Sequence, residues 1–486
     1  MKQNYTTSFK PGSAPAGENV SLLKSMGSWD VFALGFGAMI GFGWIVLSGH
    51  WLENAGTLGA VLAFIVGGAI MALVGLTYSE LVSAMPKAGG EHNYVMRGMG
   101  PRWAFICSWG VVAGYITIVA FEAVALPRVV TYLFPDLNQI KLWTVAGSDV
   151  YLTWALVGVI GAVAITVINI IGIKTANFVQ TFILLFFLSI GALLVLGAFV
   201  GGEREHLTPL ISGGWSGFVV VLVAIPFLFV GFDVIPQSAE EVNLEPKRIG
   251  KLVVISVIMA TAFYIAALVA ISSSMSHSSL ADANLAAADG MAALWSTDLM
   301  AKVLVAGGIA AILTSWNAFM IGASRLLYAM GVSGMLPKAF GTLHPKTHTP
   351  VNALLFIGGL AVIAPFFGQA MLGWLVDSGA PSIVIGYAVA AMAFIVLRRR
   401  EPKMPRPLRI GGKGNGGIII GVLAIISTLG LLSLHFPGMP AALSPQAAVM
   451  VLGWWLFGML FFFRIPRGIK PGADAEERLL STLAQR

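Results

Sequence analysis

Twelve runs of about 20 apolar residues, the length that crosses the hydrocarbon core of a bilayer, constrain this chain more than any other feature. They cover residues 29–49, 58–84, 103–127, 151–171, 177–200, 215–238, 250–273, 299–329, 351–369, 374–397, 417–435 and 446–463. Hydrophobic residues make up 57% of the chain and charged residues 10%, whereas soluble domains have about 25% charged residues. The sequence therefore predicts an all-α membrane protein of about twelve transmembrane helices, surrounded by membrane lipid.

The charges in the loops predict which ends of these helices face the cytoplasm. If the N-terminus is inside, nearly all of the 29 Lys and Arg residues fall in inner loops and tails. The exceptions in outer segments are Arg128, Lys141, Arg204 and Lys302. Because cytoplasmic loops are enriched in Lys and Arg, both termini are predicted to be cytoplasmic, in the cell membrane. The same topology accounts for the net charge of +7 without a nucleic-acid partner.

The first apolar run contains an unusual density of glycine. Gly35, Gly37, Gly41 and Gly43 each weaken a helix by about 1 kcal/mol relative to alanine. Glycines spaced in this way are also typical of close helix packing, and that alternative stays open. If the helix instead unwinds here, its free N–H and C=O groups can bind a carboxylate and an ammonium group respectively.

The sixth run is interrupted in a similar way. Pro226, Gly231, Asp233 and Pro236 break an otherwise apolar segment, with a single kinked helix as the alternative. The two interrupted runs begin five helices apart, as matching helices of two inverted five-helix repeats would, and such pairs indicate a transporter binding site. The predicted parts are a cytoplasmic tail at 1–28, repeats at 29–200 and 215–397, helices 11 and 12 at 417–463, and a second cytoplasmic tail at 464–486.

Besides Asp30, Glu80 and Asp377, which lie near span ends, two carboxyl groups lie within predicted spans, where an ionisable side chain costs about 2.5–3.5 kcal/mol and indicates a function. Glu122 lies in the third span, two helical turns from Tyr115 on the same face, and could pair with a substrate ammonium group or carry a proton. A structural glutamate near Arg128 is the alternative. Asp233 follows the break in the sixth span and is either a protonated structural side chain or a proton acceptor in gating.

Four motifs in order resemble the amino acid–polyamine–organocation (APC) superfamily of permeases. They are the glycine-rich segment 35–43 and segments 78–90, 229–248 and 324–345. The resemblance implies a fold of the leucine-transporter type, with five plus five inverted helices followed by two more. It also implies coupling to H⁺ or Na⁺, or exchange, with no cofactor beyond the coupling ion.

The resemblance further implies a substrate site at the two broken helices. Backbone N–H groups of Gly41, Phe42 and Gly43 are expected to hold a carboxylate, and carbonyl groups of both helices are expected to hold the amine. The other residues expected at the site are Ala38, Met39, Ile40, Tyr115, Glu122, Phe227, Val230 and Phe319, with Phe227 as an aromatic gate.

Phe42 departs from the superfamily pattern, because many members have a small serine at this position. A ring directed into the pocket leaves room only for a small or slender substrate, whereas a ring directed away leaves the pocket unchanged. Both alternatives stay open. The fifth span contains no lysine where some proton-coupled members have one, which counts against that mechanism.

Four further residues are candidates for coupling or gating. Thr314 and Ser315 lie in the eighth span, where hydroxyl groups help to bind sodium in sodium-coupled relatives of this fold. Hydroxyl groups bonded to carbonyls of their own helix are the alternative. Glu241 and Glu80 lie at the inner mouth, where they are expected to form ion pairs. The expected partners of Glu80 are Arg97 or Arg325.

These features predict a secondary transporter that moves a small amino acid or amine across the cytoplasmic membrane by alternating access. A permease for polyamines, ethanolamine-type amines or cationic amino acids that uses Glu122 is the alternative. A membrane enzyme or channel is disfavoured, since the sequence contains no HExxH motif, catalytic cluster or repeated filter motif. The protein is expected to act as a monomer or homodimer and to bind no metal other than a coupling sodium ion.

Overall fold

The computed structural model describes residues 22–283, 285–439 and 441–485, so most of the tail predicted at 1–28 lies outside the described residues. Strands β1 (Lys141–Val145) and β2 (Ser148–Tyr151) form an antiparallel hairpin. The helices are α1 (Ser28–Met39), α2 (Gly43–Ala84), α3 (Glu91–Met99), α4 (Pro101–Leu133), α5 (Leu152–Ile171), α6 (Ile173–Gly201), α7 (Gly214–Phe229), α8 (Val234–Gln237), α9 (Pro246–Ser272), α10 (His277–Asp282), α11 (Ala286–Trp295), α12 (Asp298–Val332), α13 (Val351–Ile363), α14 (Ala370–Arg400), α15 (Gly416–Ser433), α16 (Pro445–Phe462) and α17 (Ala475–Ala484).

Among the described residues, ten helical segments are long and apolar enough to cross a membrane. One of them, α2, consists of two consecutive helices that meet at Gly56, where φ is 72° and ψ is 172°. A Cβ atom at Gly56 would lie 2.6 Å from Pro209 O, so both the backbone angle and the close contact require glycine. With α1 and the shorter apolar α13, helices account for all twelve predicted runs, which confirms an all-α membrane protein of about twelve helices. The pairing into two inverted repeats stays a prediction.

The apolar runs do not reveal the elements between them. α3 follows the second span, β1 and β2 connect α4 to α5, α10 and α11 connect α9 to α12, and α17 lies near the C-terminus. None of these elements exceeds 10 residues, so none has an apolar pattern of span length.

The connections divide the helix bundle into two ends. The basic end contains residues 22–27, 85–100, 238–245, 333–350, 401–415 and 463–485. It is joined by contacts such as a backbone bridge between Met26 and Val242. The opposite end contains residues 134–151, 202–213, 273–283 and 434–439, and there Thr57 Oγ1 donates to Leu207 O (2.8 Å).

The helices differ strongly in how deeply they are buried. The apolar part of α4 is 89% buried within the protein, whereas that of α16 is 11% buried. α4 packs against α12 and α14, and α2 packs against α7 and α9. Polar side chains in the interior around α4 are therefore shielded from lipid.

Candidate functional site

The first broken helix unwinds between α1 and α2. α1 ends at Met39, Ile40 has non-helical backbone angles (φ −92°, ψ 44°), and α2 begins at Gly43. Among the described residues, the N–H groups of Gly41 and Phe42 donate to no backbone carbonyl. Together with the N-terminal dipole of α2, these free donors attract an anion.

The second broken helix unwinds between α7 and α8 and touches the first. α7 ends at Phe229, and Gly231 has a φ of 137°. A Cβ atom at Gly231 would lie 2.6 Å from Ala38 Cβ and 2.9 Å from Met39 N, so this contact requires glycine. The Gly231 N–H donates to Asp233 Oδ1 (2.8 Å). The two interruptions of the sequence therefore meet at one point of the fold.

A small cavity lies where the two breaks meet. About 20 Å³ of it is open to the centre of a water molecule, which is room for about one water. The helices must therefore separate, or lining side chains must rotate, before a larger solute can enter. The lining residues are Ala38, Met39, Gly41, Phe42, Gly43, Ile118, Phe121, Glu122, Phe227, Leu228, Tyr264, Ser315 and Phe319.

Most residues expected at the substrate site line this cavity. The expected site or coupling residues in the membrane that do not line it are Ile40, Tyr115, Val230, Asp233 and Thr314. The lining residues that sequence reasoning missed are Ile118, Phe121, Leu228 and Tyr264. The first three adjoin or lie one helical turn from expected residues, so their place in the sequence gave a partial signal.

Glu122 is the acidic group of the cavity, and one of its oxygens has no partner. The side chain is 2% exposed, and Oε1 accepts a hydrogen bond from Ser315 Oγ. Oε2 has no hydrogen-bond partner among the described residues, and the alternative of a structural glutamate near Arg128 stays open. A Cβ atom at Gly41 would lie 3.0 Å from Oε1, which puts the carboxyl group against the unwound segment. A buried carboxylate without a cation is costly, so this site favours a neutral acid or a bound cation.

The two neighbouring hydroxyl groups of α12 have different partners. Thr314 Oγ1 donates to Ala311 O (2.9 Å), a carbonyl of its own helix. Ser315 Oγ donates instead to Glu122. The alternative of bonding within the helix therefore holds for Thr314 and not for Ser315, and sodium binding at this pair stays a prediction.

Tyr264 of α9 links the two breaks through one hydroxyl group. Its oxygen lies 2.5 Å from Met39 O and 3.4 Å from Leu228 O, at the ends of α1 and α7. Carbonyl groups at the C-terminal end of a helix carry partial negative charge and attract cations. Tyr264 therefore occupies acceptors of the kind expected to hold the amine. It lies in a regular apolar helix, so no local sequence signal indicated it.

The ring of Phe42 packs against α12. The side chain is 1% exposed, and a Cβ atom at Gly308 would lie 3.4 Å from Phe42 Cε2. The absence of a side chain at Gly308 makes room for the ring. This packing agrees with the alternative in which the ring is directed away from the pocket, although Phe42 still forms part of the lining.

Asp233 lies on the side of the cavity nearer the basic end. It is fully buried, and its Oδ2 has no hydrogen-bond partner among the described residues. The hydroxyl groups of Tyr115 and Tyr387 are near this carboxyl group but outside hydrogen-bond geometry. The Tyr115 ring packs on Phe319, with ring centres 5.4 Å apart. Tyr115 therefore lies between the cavity and Asp233.

A buried ion pair closes the basic end below Asp233. Arg325 of α12 donates to both carboxylate oxygens of Glu241, at 3.0 Å and 2.9 Å, and both side chains are 1% exposed. Ser25 and Met26 donate their backbone N–H groups to Glu241 O. The segment after α8 is therefore bound both to α12 and to the residues that precede α1.

The expected partners of Glu80 are wrong. Glu80 accepts from Arg398 Nε (2.9 Å) and lies 3.0 Å from Arg406 Nε, while Arg97 bonds Glu401 (3.0 Å). Arg398 is 318 positions away along the chain. Arg398 reaches Glu80 because α14 packs against α2. The local motif around Glu80 carries no information about this packing.

A chain of buried amide groups fixes α1 to three other helices. Asn169 Nδ2 donates to Asn317 Oδ1 (2.9 Å), and Asn317 Nδ2 donates to Gln180 Oε1 (3.0 Å). Gln180 Nε2 donates in turn to Ala33 O (3.1 Å). These bonds run from α5 through α12 and α6 to α1, and a connected buried network of this kind favours one arrangement of the helices.

Comparison with known proteins gives matches over most of the chain. The family described as "Amino acid permease" matches residues 26–461. The chain is 25% identical over 471 residues to the branched-chain amino acid permease BcaP of Bacillus subtilis (strain 168), covering 93% of this chain and 95% of that protein. It is 26% identical over 427 residues to the aspartate-proton symporter of the same strain, covering 83% and 78%. It is also 26% identical over 404 residues to cationic amino acid transporter 4 of Homo sapiens, covering 79% and 61%.

Proposed function

Because the chain belongs to the amino acid permease family, we propose that it carries a small amino acid or amine across the cytoplasmic membrane by alternating access. The basic end is proposed to face the cytoplasm, with both termini, as the loop charges predict. We also propose that transport is its activity and that it is not an enzyme, because its relatives are permeases and transporters. The names of those relatives include branched-chain, acidic and cationic amino acids, so they do not select a side chain for this substrate.

The observation that carries the substrate proposal is the carboxyl group of Glu122, which lies against Gly41 and whose Oε2 has no hydrogen-bond partner among the described residues. An ionised Glu122 attracts a substrate ammonium group, and the same charge repels a substrate carboxylate from the free N–H groups of Gly41 and Phe42. An ionised Glu122 therefore suits an amine without a carboxylate, such as an ethanolamine-type or polyamine solute. A protonated Glu122 leaves the N–H groups available and suits an amino acid. The two candidate substrate classes thus differ by one proton on Glu122.

Uptake into proteoliposomes of solutes that differ only by a carboxylate tests this proposal. Suitable pairs are serine with ethanolamine and ornithine with putrescine. We expect uptake of the amine of each pair to increase relative to the amino acid as the pH rises and Glu122 ionises. If no solute of either pair is taken up or binds, the proposed function is refuted.

The variant Glu122→Gln removes the charge and keeps the shape of the side chain. We expect the apparent affinity for amines to fall by about tenfold or more, because a hydrogen bond to a charged group contributes about 1.5 kcal/mol or more. Uptake of the paired amino acids should persist. Glu53→Gln, an exposed carboxyl group on α2, is the matched control and should behave like the wild type. Equal loss for both solutes of a pair would contradict a direct role of Glu122 in amine binding.

The coupling ion and the gating residues are also proposals. Asp233, Thr314 with Ser315, Glu80 and Glu241 are proposed to couple or gate transport, with H⁺ or Na⁺ as the ion or with exchange in its place. Uptake driven separately by a proton gradient, a sodium gradient and an internal load of solute distinguishes these modes. Loss of sodium-driven uptake in Thr314→Ala would support a sodium site at this pair, whereas unchanged sodium-driven uptake would contradict it.

A further inference from the structure

A second buried carboxyl group, Glu91, lies between Asp233 and the basic end, outside the cavity. Glu91 begins α3 and Gln237 ends α8, and both side chains are fully buried. Gln237 Nε2 lies 2.6 Å and 2.5 Å from the two carboxyl oxygens of Glu91. Gln237 Oε1 has no hydrogen-bond partner among the described residues. Gln237 therefore contacts Glu91 through its amide nitrogen, while its amide oxygen makes no hydrogen bond among the described residues.

Among the described residues, the titratable groups that interact electrostatically with Glu91 are acidic or neutral. They are Asp233, Tyr78, Tyr94, Cys107, Tyr115 and Tyr387. Arg325, a cation of the same end, is bound to Glu241, and His92 of α3 points to Ser108 Oγ (3.0 Å). Burial, and then the charge of Asp233, raises the pKa of the Glu91 carboxyl group well above its ordinary value. A buried charge without a cation is costly, so Glu91 holds its proton in this state.

A protonated Glu91 can form two hydrogen bonds with Gln237 at once. The oxygen and nitrogen of an amide group have nearly the same shape, so a half-turn of the Gln237 amide exchanges them without displacing a neighbour. The Glu91 O–H then donates to Gln237 Oε1, while Nε2 donates to the other carboxyl oxygen. An ionised Glu91 can only accept, which leaves Oε1 without a donor and the charge without a cation.

This pair joins two segments that must separate if the basic end opens. The N–H of Gly89 donates to Gln237 O (3.1 Å), and the N–H of Ala88 donates to Glu240 Oε2 (3.2 Å). A Cβ atom at Gly90 would lie 2.9 Å from Pro236 Cβ. The turn after α2 is thus bound to the segment after the second break by its backbone and by Glu91.

We propose that Glu91 and Gln237 form a second proton-binding site, which holds the basic end closed while Glu91 is protonated. When this end opens, water reaches Glu91 and takes its proton, leaving a carboxylate, and closure requires that proton to return. Because proton binding favours the closed state, closure is strongest at low pH and weakens as the pH rises through the pKa of Glu91 in that state. The site goes beyond the function proposed above, and its opening can be measured without a transported solute.

The single cysteine of the chain reports this opening without an engineered label. Cys107 is fully buried, its thiol donates to Gly386 O (3.3 Å), and it is near enough to Glu91 to interact with it electrostatically. The experiment measures the rate of Cys107 alkylation by a small maleimide in lipid nanodiscs over a range of pH. It compares the wild type with Glu91→Gln, whose amide needs no proton to bond Gln237. Glu245→Gln, an exposed carboxyl group at the same end, is the matched control.

Alkylation rises with pH in both proteins because the thiol ionises. The ratio of the wild-type rate to the Glu91→Gln rate cancels this common effect. We expect this ratio to rise with pH by up to about tenfold per pH unit, the limit for release of one proton. The Glu245→Gln rates should follow the wild type. A wild-type to Glu91→Gln ratio that does not change with pH overturns the proposal.

Infrared difference spectroscopy between acid and alkaline pH identifies the proton directly. The wild type should lose a carboxylic-acid C=O band as the pH rises, and this band should be absent from Glu91→Gln and present in Asp233→Asn. Because Glu122 also ionises as the pH rises, the spectra are compared in the Glu122→Gln background. A band that persists there in Glu91→Gln assigns the proton to another group and overturns the proposal. If Glu91→Gln does not fold, Gln237→Leu removes the partner instead and should shift opening to lower pH. No solute uptake, with these results intact, would refute only the proposed transport function.

Discussion

The two ends of the helix bundle are closed by different chemistry. At the basic end, Arg325 and Glu241 form a buried ion pair, and further Arg–Glu pairs lie at the same end. On the other side of the cavity, the rings of Phe121 and Phe227 meet edge-on with centres 5.7 Å apart. These two rings are 6% and 8% exposed, whereas Arg325 is 1% exposed. All three side chains are therefore buried in this state, and the two sides differ in the chemistry of the contact.

This difference predicts two kinds of opening. A buried ion pair that loses one partner leaves an unpaired charge, so intermediate arrangements are costly and closure is all-or-none. An aromatic contact has no such penalty and loses only the contact itself, so it can loosen by degrees. Substitutions at Arg325, Gly231, Phe227 and His277 test this comparison, with effects expected to decrease in that order.

Arg325→Ala should have the largest effect, because it leaves Glu241 buried without its cation. We expect the free energy of unfolding, measured by steric trapping in bicelles, to fall by about 3–5 kcal/mol. The double variant Arg325→Ala/Glu241→Ala removes both charges and should lose less than the single variant. Equal losses in the two variants would contradict the view that an unpaired charge dominates at this end.

Gly231→Ala acts at the point where the two breaks meet. The φ of 137° and the contact with Ala38 both disfavour a side chain, so we expect a loss of about 1–3 kcal/mol in the free energy of unfolding. Proteoliposome uptake should fall with it, because the cavity lies at the same point. Gly359→Ala in α13, where a Cβ atom would meet nothing within 4 Å, is the control and should leave stability and uptake nearly unchanged. An unaffected Gly231→Ala protein would show that the breaks are not held together here.

Phe227→Leu keeps an apolar side chain but removes the edge-on ring contact with Phe121. We expect a loss of about 0.5–1.5 kcal/mol in the free energy of unfolding and a graded rise in the apparent Michaelis constant for uptake. Phe199→Leu, at a side chain that is 85% exposed, is the matched control. An abrupt loss of folding in Phe227→Leu would mean that this side also closes in an all-or-none way.

His277 should give the smallest effect, at the opposite end of the bundle. Its Nε2 contacts the hydroxyl oxygens of Thr57 (3.2 Å) and Ser272 (3.1 Å), and burial, then the charge of His206, lowers its pKa. A lowered pKa means that the stabilisation is present above the unfolded-state value, about 6.5, and is lost as the pH falls below it. The thermal midpoint of the wild type should therefore fall at acid pH, and that of His277→Asn should change less. Identical profiles would exclude His277 as the group responsible.

The breaks were the part of the site that the sequence predicted best. Glycine and proline act on their own backbone, so Gly41 and Gly231 mark the unwound segments wherever the helices pack. Glu122 was also recognisable, because a carboxyl group in an apolar run has few structural explanations. The spans themselves follow from apolar length alone.

The partners of these residues were not predictable, because they come from distant parts of the chain. Tyr264 meets Met39 across 225 positions, and Arg398 meets Glu80 across 318. Glu91 lies in an inner-loop motif in which a charged residue is ordinarily exposed, and it is buried by the packing of α3 against α4 and α14 and by its contact with Gln237 of α8. Contacts of this kind depend on how the helices are arranged. That arrangement cannot be worked out from the residues that neighbour each partner in the sequence.

The chain of amide groups between α1 and its neighbours bears on the response to membrane voltage. Moving one elementary charge across the membrane changes the free energy by about 2.3 kcal/mol per 100 mV. Asn169, Asn317 and Gln180 carry no net charge, so breaking or re-forming their bonds moves no charge through the field. Separation of this contact therefore adds no electrical cost of its own, in a resting or an energised cell. Voltage dependence of the cycle then reports the charge of the solute and of carboxyl groups such as Glu122.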